Sequence, residues 1–155
     1  MAKQNHLYAI KQGTTYWNRW RQENPEIQPD LSKASLSLMN LSFANLSRVN
    51  LSFADLTSAN LSGAVLKGAN LRVATFRSAN LRNADLSSAD LTGADGTGCD
   101  LRDADLSHTN LQVAKFSGAD MRGTKLVGAN LDGTVGINSK KGGGMWGFFT
   151  KGNQS

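Results

Sequence analysis

The chain has 155 residues, enough for one domain, and a formal net charge of +5. Its single cysteine excludes an internal disulfide, so the fold does not depend on an oxidising compartment, and we expect a cytoplasmic location. Residues 1–13 contain no continuous apolar run and no stretch is long enough to span a bilayer, so we expect neither a signal peptide nor a membrane span.

The net charge lies in the two terminal regions. Residues 1–29 carry +2 and residues 135–155 carry +3, whereas residues 30–134 hold ten basic and ten acidic residues. A protein that follows a phosphate backbone needs a basic stripe along its binding surface. The neutral central region has no such stripe, so the charge distribution predicts no nucleic-acid partner.

The first predicted element is an amphipathic helix over residues 5–22. One face of this helix carries the side chains expected to pack, namely Leu7, Ile10, Thr14, Trp17 and Arg21. Trp20 lies beside that face, and Pro25 and Pro29 separate the helix from the region that begins at residue 30. Two roles are open: a cap that rests on the next part of the fold, and a helix whose Trp17 and Trp20 dock to a partner protein.

A five-residue repeat runs from Leu31 to Leu131 without insertion. A bulky apolar residue, usually leucine, occupies nearly every one of the twenty-one positions in this register. A small residue, usually alanine, lies two positions before it, and Asn or Asp often lies directly before it. The position after the bulky residue is usually polar, and the next one is often Gly or Ser.

A period of five fits neither a helix nor a straight strand. On an α-helix successive leucines would lie about 140° apart, and Gly, Asn, Asp, Ser and Thr are poor helix formers. On a straight strand a step of five residues reverses the face. The leucines can share one core only if the chain turns a corner within each unit, which the short polar residues and glycines favour. Leucine and alanine then point inward, and the other three residues point outward.

The tandem unit, seen in ANLSGAVLKGANL and NADLSSADLTGAD, resembles the pentapeptide-repeat family. The W-N-x-W-R, N-P and P-D-L-S segments before the repeat look like those of cyanobacterial members. The resemblance implies an all-β solenoid, a right-handed quadrilateral β-helix of about five coils with four units per coil. The predicted division is an N-terminal helical cap and linker over residues 1–29, the β-helix over 30–134, and a Gly/Lys linker with an aromatic C-terminal tail over 135–155.

The stretch GADGTGCDLRDADL, residues 93–106, breaks the repeat twice. Gly96 takes the position of an inward leucine, and Cys99 that of an inward alanine. With twenty residues per coil, Gly96 stacks between Phe76 and Phe116, so two rings lean into the space that one side chain leaves. Cys99 stacks among alanines as a small buried hydrophobe. We interpret both departures as core packing.

Stacking by twenties also arranges the outward residues in columns. Phe53, Val73 and Val113 share one column, and Phe43 lies on another side of the solenoid. An apolar stripe on a solvated wall is a candidate interaction surface. A second column holds charges that are expected to pair along the wall: Arg82, Arg102 and Arg122 beside Asn80, Asp100 and Asp120.

The C-terminal stretch KKGGGMWGFFTKGNQS joins a basic, glycine-rich linker to four large apolar residues. Side chains of this kind, so close together, are not expected to lie free in water. Three roles are open: covering the last coil or joining two copies, docking to a partner protein, and anchoring to a membrane surface. The candidate contact residues are Trp146, Phe148 and Phe149.

Nothing in the sequence indicates catalysis. His6 and His108 are the only histidines, no Ser-His-Asp or Cys-His arrangement can be placed in one cleft, and no metal-ligand spacing or phosphate-binding glycine loop occurs. We therefore expect no enzymatic activity, no cofactor and no metal. The favoured hypothesis is a non-enzymatic structural or interaction module that presents a rigid wall to an unidentified protein partner, with a homodimer through the C-terminal end as one form.

Two alternative functions stay open. Relatives in the family that protect DNA gyrase imitate duplex DNA, which requires a long and strongly acidic rod, whereas the repeat here is neutral. The other alternative is a membrane-associated structural protein that binds through its C-terminal aromatic tail. We expect no membrane partner, because the glycines of the tail disfavour an amphipathic helix.

Overall fold

The computed structural model describes residues 3–137 and begins with two short helices, α1 (Gln4–Lys11) and α2 (Thr14–Glu23). The prediction of one continuous helix over residues 5–22 is wrong. Gly13 lies between the two helices with a φ of 97°, a value that no right-handed helix contains and that glycine adopts at little cost. The break lets the helices turn against each other, so that the rings of Tyr8 and Tyr16 lie 6.4 Å apart.

From Asp30 onward the chain winds into a solenoid in which residues twenty positions apart lie side by side. Parallel bridges join residues twenty positions apart, as Asp30 to Asn50 and Asn50 to Asn70. The last of these bridges joins Lys115 to Val135. Each five-residue unit contributes one bridging residue, so no strand within residues 3–137 is longer than a single bridge. One coil therefore contains four units and turns a corner in each.

Every internal coil is hydrogen-bonded to the coils before and after it. The N–H of an inward leucine donates to the carbonyl nineteen residues later, as from Leu31 to Asn50 at 2.7 Å. The residue before an inward leucine donates to the carbonyl twenty-one residues earlier, as from Asp55 to Ala34 at 2.9 Å. A coil thus needs a neighbour on each side to satisfy its backbone groups.

The corner of each unit is built from local hydrogen bonds. The side-chain oxygen of the Asn or Asp before the leucine accepts from the N–H two residues later, as from Thr57 to Asp55 at 2.9 Å. The second residue after the leucine has a left-handed backbone, with φ between 52° and 61° at thirteen positions that are not glycine. We call these positions the corner positions, and their side chains point away from the core.

Leucine and alanine fill most of the interior. The column that contains Gly96 differs in the size of its side chains. The rings of Phe76 and Phe116 lie 5.9 Å apart across this glycine. A Cβ atom on Gly96 would lie 2.5 Å from Phe76 Cε2 and 2.7 Å from Phe116 Cε1, which leaves no room for a side chain. Cys99 is 1% exposed and belongs to the same core cluster.

Helix α2 lies across the N-terminal edge of the first coil and makes hydrogen bonds that a preceding coil would otherwise make. Trp17 Nε1 donates to Asn45 O at 2.8 Å, and Asn45 N–H donates to Asn18 Oδ1 at 2.8 Å. Arg21 Nη2 donates to Ser47 O at 3.1 Å. In internal coils the equivalent backbone groups bond to the neighbouring coil, so side chains of α2 here replace a backbone.

The side chains that make these bonds share one face of α2. Thr14, Trp17, Asn18 and Arg21 occupy positions i, i+3, i+4 and i+7 of the helix. Thr14 Oγ1 contributes a longer contact of 3.4 Å to Asn40 O. The acceptors extend from Asn40 to Ser47 along the coil, so α2 runs beside the backbone that it covers.

Helix α1 holds the start of the first coil. Lys3 N–H donates to Asp30 O at 3.1 Å, and Asp30 N–H donates to His6 Nδ1 at 3.0 Å. The His6 side chain is 2% exposed, and its ring centroid lies 5.3 Å from that of Trp20. Burial lowers the pKa of His6, because the charged imidazolium would lose its hydration there.

Candidate interaction surface

One side of the solenoid carries apolar residues at its corner positions. We call Phe53, Val73, Gly93 and Val113 the apolar column, since each lies twenty residues from the next. The side chains of Phe53, Val73 and Val113 are 56%, 49% and 54% exposed. At a spacing of about 4.8 Å between coils, the column is roughly 14 Å long. It is a narrow apolar stripe with a gap at Gly93.

Few contacts from other parts of residues 3–137 cover the apolar column. Lys33 Nζ lies 5.9 Å from the ring centroid of Phe53 at one end. A Cβ atom on Gly93 would lie at an ordinary contact distance of 3.6 Å from Val73 Cγ2, so the gap has room for a methyl group. Within residues 3–137 the stripe is therefore open along its length.

Phe43 lies on another side and is 71% exposed. Its ring lies over Gly63, where a Cβ atom would be 2.6 Å from Phe43 Cε1. Leu38, one unit earlier, is 80% exposed, the highest value among the large apolar side chains of residues 3–137. The sequence interpretation did not single out Leu38, although its place in the repeat, the same corner position as Phe43, marks it as outward-pointing.

Two members of the predicted arginine column, Arg102 and Arg122, are paired with carboxylates within the wall. Arg102 Nε donates to Asp100 Oδ1 at 2.8 Å, and Arg122 Nε donates to Asp120 Oδ1 at 2.9 Å. Arg102 Nε also lies 3.5 Å from Asp120 Oδ2 in the next coil. Hydrogen bonding from Arg122 lowers the pKa of Asp120 to about 2, and hydrogen bonding from Arg102 lowers the pKa of Asp100. The carboxylates are therefore charged and paired at neutral pH.

A further set of ion pairs joins residues eighteen positions apart. Arg72 Nη1 lies 3.2 Å from Asp90 Oδ2, and Arg77 Nη1 lies 3.7 Å from Asp95 Oδ2. The offset arises because the residue after one inward position reaches the residue before the inward position of the next coil. The sequence interpretation compared residues twenty apart and residues within one unit, and it missed these pairs. Arg72 directly precedes Val73, so the apolar column is flanked by paired charge.

Of the two roles left open for the N-terminal segment, the position of Trp17 agrees with the cap, because its side chain is 0% exposed and its indole N–H is bonded to the first coil. Trp20 is partly buried against the core, and its ring centroid lies 5.4 Å from that of Trp17. Both tryptophans therefore belong to the contact between α2 and the solenoid. Trp146, Phe148 and Phe149 lie outside the described residues. Within residues 3–137 the candidate surface consists of Leu38, Phe43, Phe53, Val73 and Val113.

Side chains able to bind a metal ion or act as a nucleophile are few in the part of the chain that the structure describes. Among residues 3–137 no cluster of His, Cys, Asp and Glu could hold a metal ion, and no helix is long and apolar enough to cross a membrane. Burial raises the pKa of the Cys99 thiol to about 12. This thiol is therefore a poor nucleophile at neutral pH.

The chain is similar to several solved structures. QnrB1, a plasmid-mediated fluoroquinolone resistance protein, has a TM-score of 0.59 at 23% identity, over 69% of this chain and 59% of that one. HetL from Nostoc sp. strain PCC 7120, involved in heterocyst differentiation regulation, is 31% identical over 70% of this chain and 60% of HetL, with a TM-score of 0.43. Rfr23 from Cyanothece 51142 is 26% identical over 76% of this chain and 96% of Rfr23, with a TM-score of 0.40. The chain spans less than two thirds of the length of QnrB1 and of HetL.

The family comparison covers the solenoid itself. No curated protein matches the chain. The family model described as pentapeptide repeats (8 copies) matches residues 30–63, 54–93 and 99–135, which together are more than half of the chain. These are the residues that form the stacked four-unit coils, and the likeness to QnrB1 is a likeness of fold. The chain therefore belongs to the pentapeptide-repeat family, whose fold is a right-handed β-helix solenoid.

Proposed function

We propose that the protein is a non-enzymatic interaction module whose rigid wall presents the apolar column and Phe43 to a partner protein. The observation that carries this proposal is the coincidence of two unfavourable features at the same residues. Large apolar side chains are exposed at corner positions, where the backbone is left-handed. Neither feature contributes to the packing of the core, so a contact outside the chain gives these residues a role.

Val73 and Val113 support the proposal most strongly. Their φ angles are 55° and 52°, a region where β-branched residues are outliers and where left-handed backbone costs about 1–2 kcal/mol per residue. The same column contains Gly93 and Gly133, so its geometry accepts glycine without this cost. On the neighbouring side, the corner positions after Leu38 are occupied by small residues throughout: Ser58, Ser78, Gly98 and Gly118.

A rigid wall requires regular coils and a covered edge. The proposal therefore includes a solenoid of about five coils, with α1 and α2 as the cap of the first coil. The constant offset of twenty residues between bridges supports the first part. The bonds from Trp17, Asn18 and Arg21 to the first coil support the second. Side chains that are already fixed at regular spacing lose little conformational freedom when a partner binds.

The two alternative functions have less support. Imitation of duplex DNA requires a strongly acidic surface, whereas residues 30–134 hold equal numbers of basic and acidic residues and Arg102 and Arg122 pair with carboxylates. Membrane association would depend on the tail, which lies outside the described residues. A cytoplasmic location is part of the proposal, since the buried Cys99 is the only cysteine and no disulfide has to form.

The test of the proposal is capture of a partner by the immobilised full chain from a native lysate. The variant Phe53→Ser/Val73→Ser/Val113→Ser removes the apolar column but leaves the core intact. We expect it to lose the captured protein, because the partner would lose most of its apolar contact area. A matched control is Val65→Ser/Val127→Ser, which replaces exposed valines on another wall, at 39% and 56% exposure.

The outcome that contradicts the proposal is equal capture by the wild type and the triple variant. Both variants should melt like the wild type, since surface substitutions usually change stability by at most about 0.5 kcal/mol. Two further assays address the alternatives. Protection of DNA gyrase by the wild type at micromolar concentration would favour the DNA-mimic alternative, and flotation with liposomes would favour the membrane alternative.

A further inference from the structure

The wall of the solenoid that begins at the apolar column carries charged side chains along its middle. From each column residue the chain runs through an inward residue to an outward residue that bridges to the next coil, as from Phe53 through Ala54 to Asp55. We call the wall that holds the apolar column and these bridging residues the column wall. Its bridging residues, in order along the solenoid, are Ser35, Asp55, Thr75, Asp95, Lys115 and Val135.

Two charges in the middle of the column wall have no partner of opposite sign within residues 3–137. No cation there lies within 4.0 Å of the Asp55 carboxylate, and no carboxylate there lies within 4.0 Å of the Lys115 ammonium. Three bridges separate the two residues, which at a coil spacing of about 4.8 Å is roughly 14 Å. Asp55 and Lys115 are therefore too far apart to pair within one chain.

A second copy laid antiparallel on the column wall meets each of these charges with its opposite. A two-fold axis that crosses the wall between Thr75 and Asp95 brings Asp55 of one copy opposite Lys115 of the other, and the symmetry forms this contact twice. Arg77 Nη1, which lies 3.7 Å from Asp95 Oδ2 in its own chain, also comes beside Asp95 of the other copy. The charges in the middle of the two walls are thus complementary.

The same axis matches the apolar column to itself by size. Phe53 of one copy comes opposite Val113 of the other, and Val73 comes opposite Gly93, where the column has a gap. The valine side chain of one copy then occupies the space that the glycine of the other leaves. At the end of the wall Lys33 comes opposite a glycine and meets no like charge. Large side chains and gaps therefore alternate in a way that fits an antiparallel second copy.

Other ways of pairing two column walls oppose like charges. A shift of one coil in one direction places Asp55 opposite Asp95, and a shift in the other direction places Asp95 opposite Asp95. A parallel arrangement places Asp55 opposite Asp55 and Lys115 opposite Lys115. Like charges that face each other across an interface are strongly unfavourable. The charge pattern therefore selects one direction and one register.

We propose that the partner of the column wall is a second copy of the chain, bound antiparallel so that Asp55 of each copy pairs with Lys115 of the other. This inference rests on the proposed function, since it names the protein that the apolar column contacts. One wall of the solenoid is small beside a standard interface of about 1,600 Å². We therefore expect a reversible dimer that forms at micromolar concentration.

The experiment uses two charge reversals in the full chain, Asp55→Lys and Lys115→Asp, and sedimentation equilibrium over a micromolar concentration series. Each variant alone opposes two pairs of like charges, so its dimer dissociation constant should be at least about tenfold higher than that of the wild type. An equimolar mixture of the two variants opposes only unlike charges and should form a heterodimer as readily as the wild type forms its dimer. This recovery depends on the antiparallel pairing and not on the stability of either variant.

The fold accepts both substitutions, because the bridging position of other units is Asp in some and Lys in others, as in Asp105 and Lys125. Lys67→Asp is the matched control, since it reverses an exposed charge on another wall. It should leave the dimer unchanged. Phe53→Ser/Val73→Ser/Val113→Ser should be monomeric, because the contact loses its apolar part.

Three results would overturn the proposal. The first is a wild type that stays monomeric over the whole concentration series. The second is a dimer that persists in both charge variants and in the triple serine variant, which would assign self-association to another surface. The third is a mixture of the two charge variants that dimerises no better than either alone. The proposed function fails separately, through equal capture from the lysate by the wild type and the triple serine variant.

Discussion

The N-terminal and C-terminal edges of this solenoid present complementary rows of backbone groups, and residues 3–137 cover only the N-terminal row. At the N-terminal end, Trp17, Asn18 and Arg21 bond to the backbone of the first coil. At the C-terminal end, the N–H groups of Met121 and Leu131 have no acceptor within residues 3–137. The difference shows that a coil of this fold can be satisfied by side chains of a helix instead of by another coil.

The comparison also explains why a helix can take this place. The hydrogen-bonding groups of the first coil recur every five residues along a path with corners, whereas a helix presents side chains at i, i+3, i+4 and i+7. Side chains of different length, from the short Thr14 to the long Arg21, compensate for this difference in spacing. A coil whose backbone is covered in this way need not extend a further turn.

The substitution with the largest expected effect breaks the covered end. Trp17→Ala removes a fully buried indole and the donor to Asn45 O, and we expect a loss of about 3–5 kcal/mol in the free energy of unfolding. Chemical denaturation followed by circular dichroism measures this loss. Arg19→Ala, an exposed position on the same helix, is the control and should have little effect. A loss below that of Arg19→Ala would show that α2 contributes nothing to the stability of the coils.

The internal coils provide the reference for both ends, and Gly96 tests how tightly they pack. Gly96→Leu forces a side chain between the rings of Phe76 and Phe116, and we expect a loss of about 1–3 kcal/mol, measured by thermal or chemical unfolding. The compensating variant Phe76→Leu/Gly96→Leu/Phe116→Leu restores the leucine column of the other sides and should recover most of the loss. An unchanged melting temperature for Gly96→Leu alone would contradict the stacking.

A smaller effect, dependent on pH, should appear only at the N-terminal end. The folded state holds the pKa of His6 below its ordinary value of 6.5, so at lower pH the unfolded chain binds a proton that the folded chain does not. Stability should therefore fall as the pH falls through about 6.5, and it should be fully present above that pH. Chemical denaturation at a series of pH values measures this dependence.

The variant His6→Gln separates this effect from other titrations. It should flatten the pH dependence between about 5 and 7. The carboxylates whose pKa values are lowered by hydrogen bonds, such as Asp55 and Asp100, lose their contribution only at lower pH. An identical slope in His6→Gln and the wild type would contradict the assignment to His6.

Much of the solenoid could be predicted from the sequence because its determinants are local and repeated. The inward leucine, the Asn or Asp before it and the corner position after it recur within five residues, and an offset of twenty was enough to place Gly96 between Phe76 and Phe116. The outward orientation of the apolar column was predicted from the same offset of twenty residues. Leu38 could have been found in this way too, since it occupies a corner position.

The features that could not be predicted depend on contacts between distant parts of the chain. An amphipathic pattern over residues 5–22 does not show that Gly13 divides the helix, since glycine is tolerated within helices at a moderate cost. Burial of Trp17 depends on the carbonyl of Asn45, which no spacing in the sequence identifies. The pairing of Arg72 with Asp90 depends on the direction in which a long side chain leans, not on the register of the coils.

The most direct test of the central claim, that side chains of α2 replace a missing coil, is hydrogen exchange at the amide of Asn45. This N–H donates to Asn18 Oδ1 at 2.8 Å, whereas its counterpart one coil later, Val65 N–H, donates to Ala44 O at 2.9 Å. We expect the amide of Asn45 to be protected in the wild type and to lose its protection in Asn18→Ala, while that of Val65 is unaffected. Equal protection of Asn45 in the wild type and in Asn18→Ala would contradict the claim.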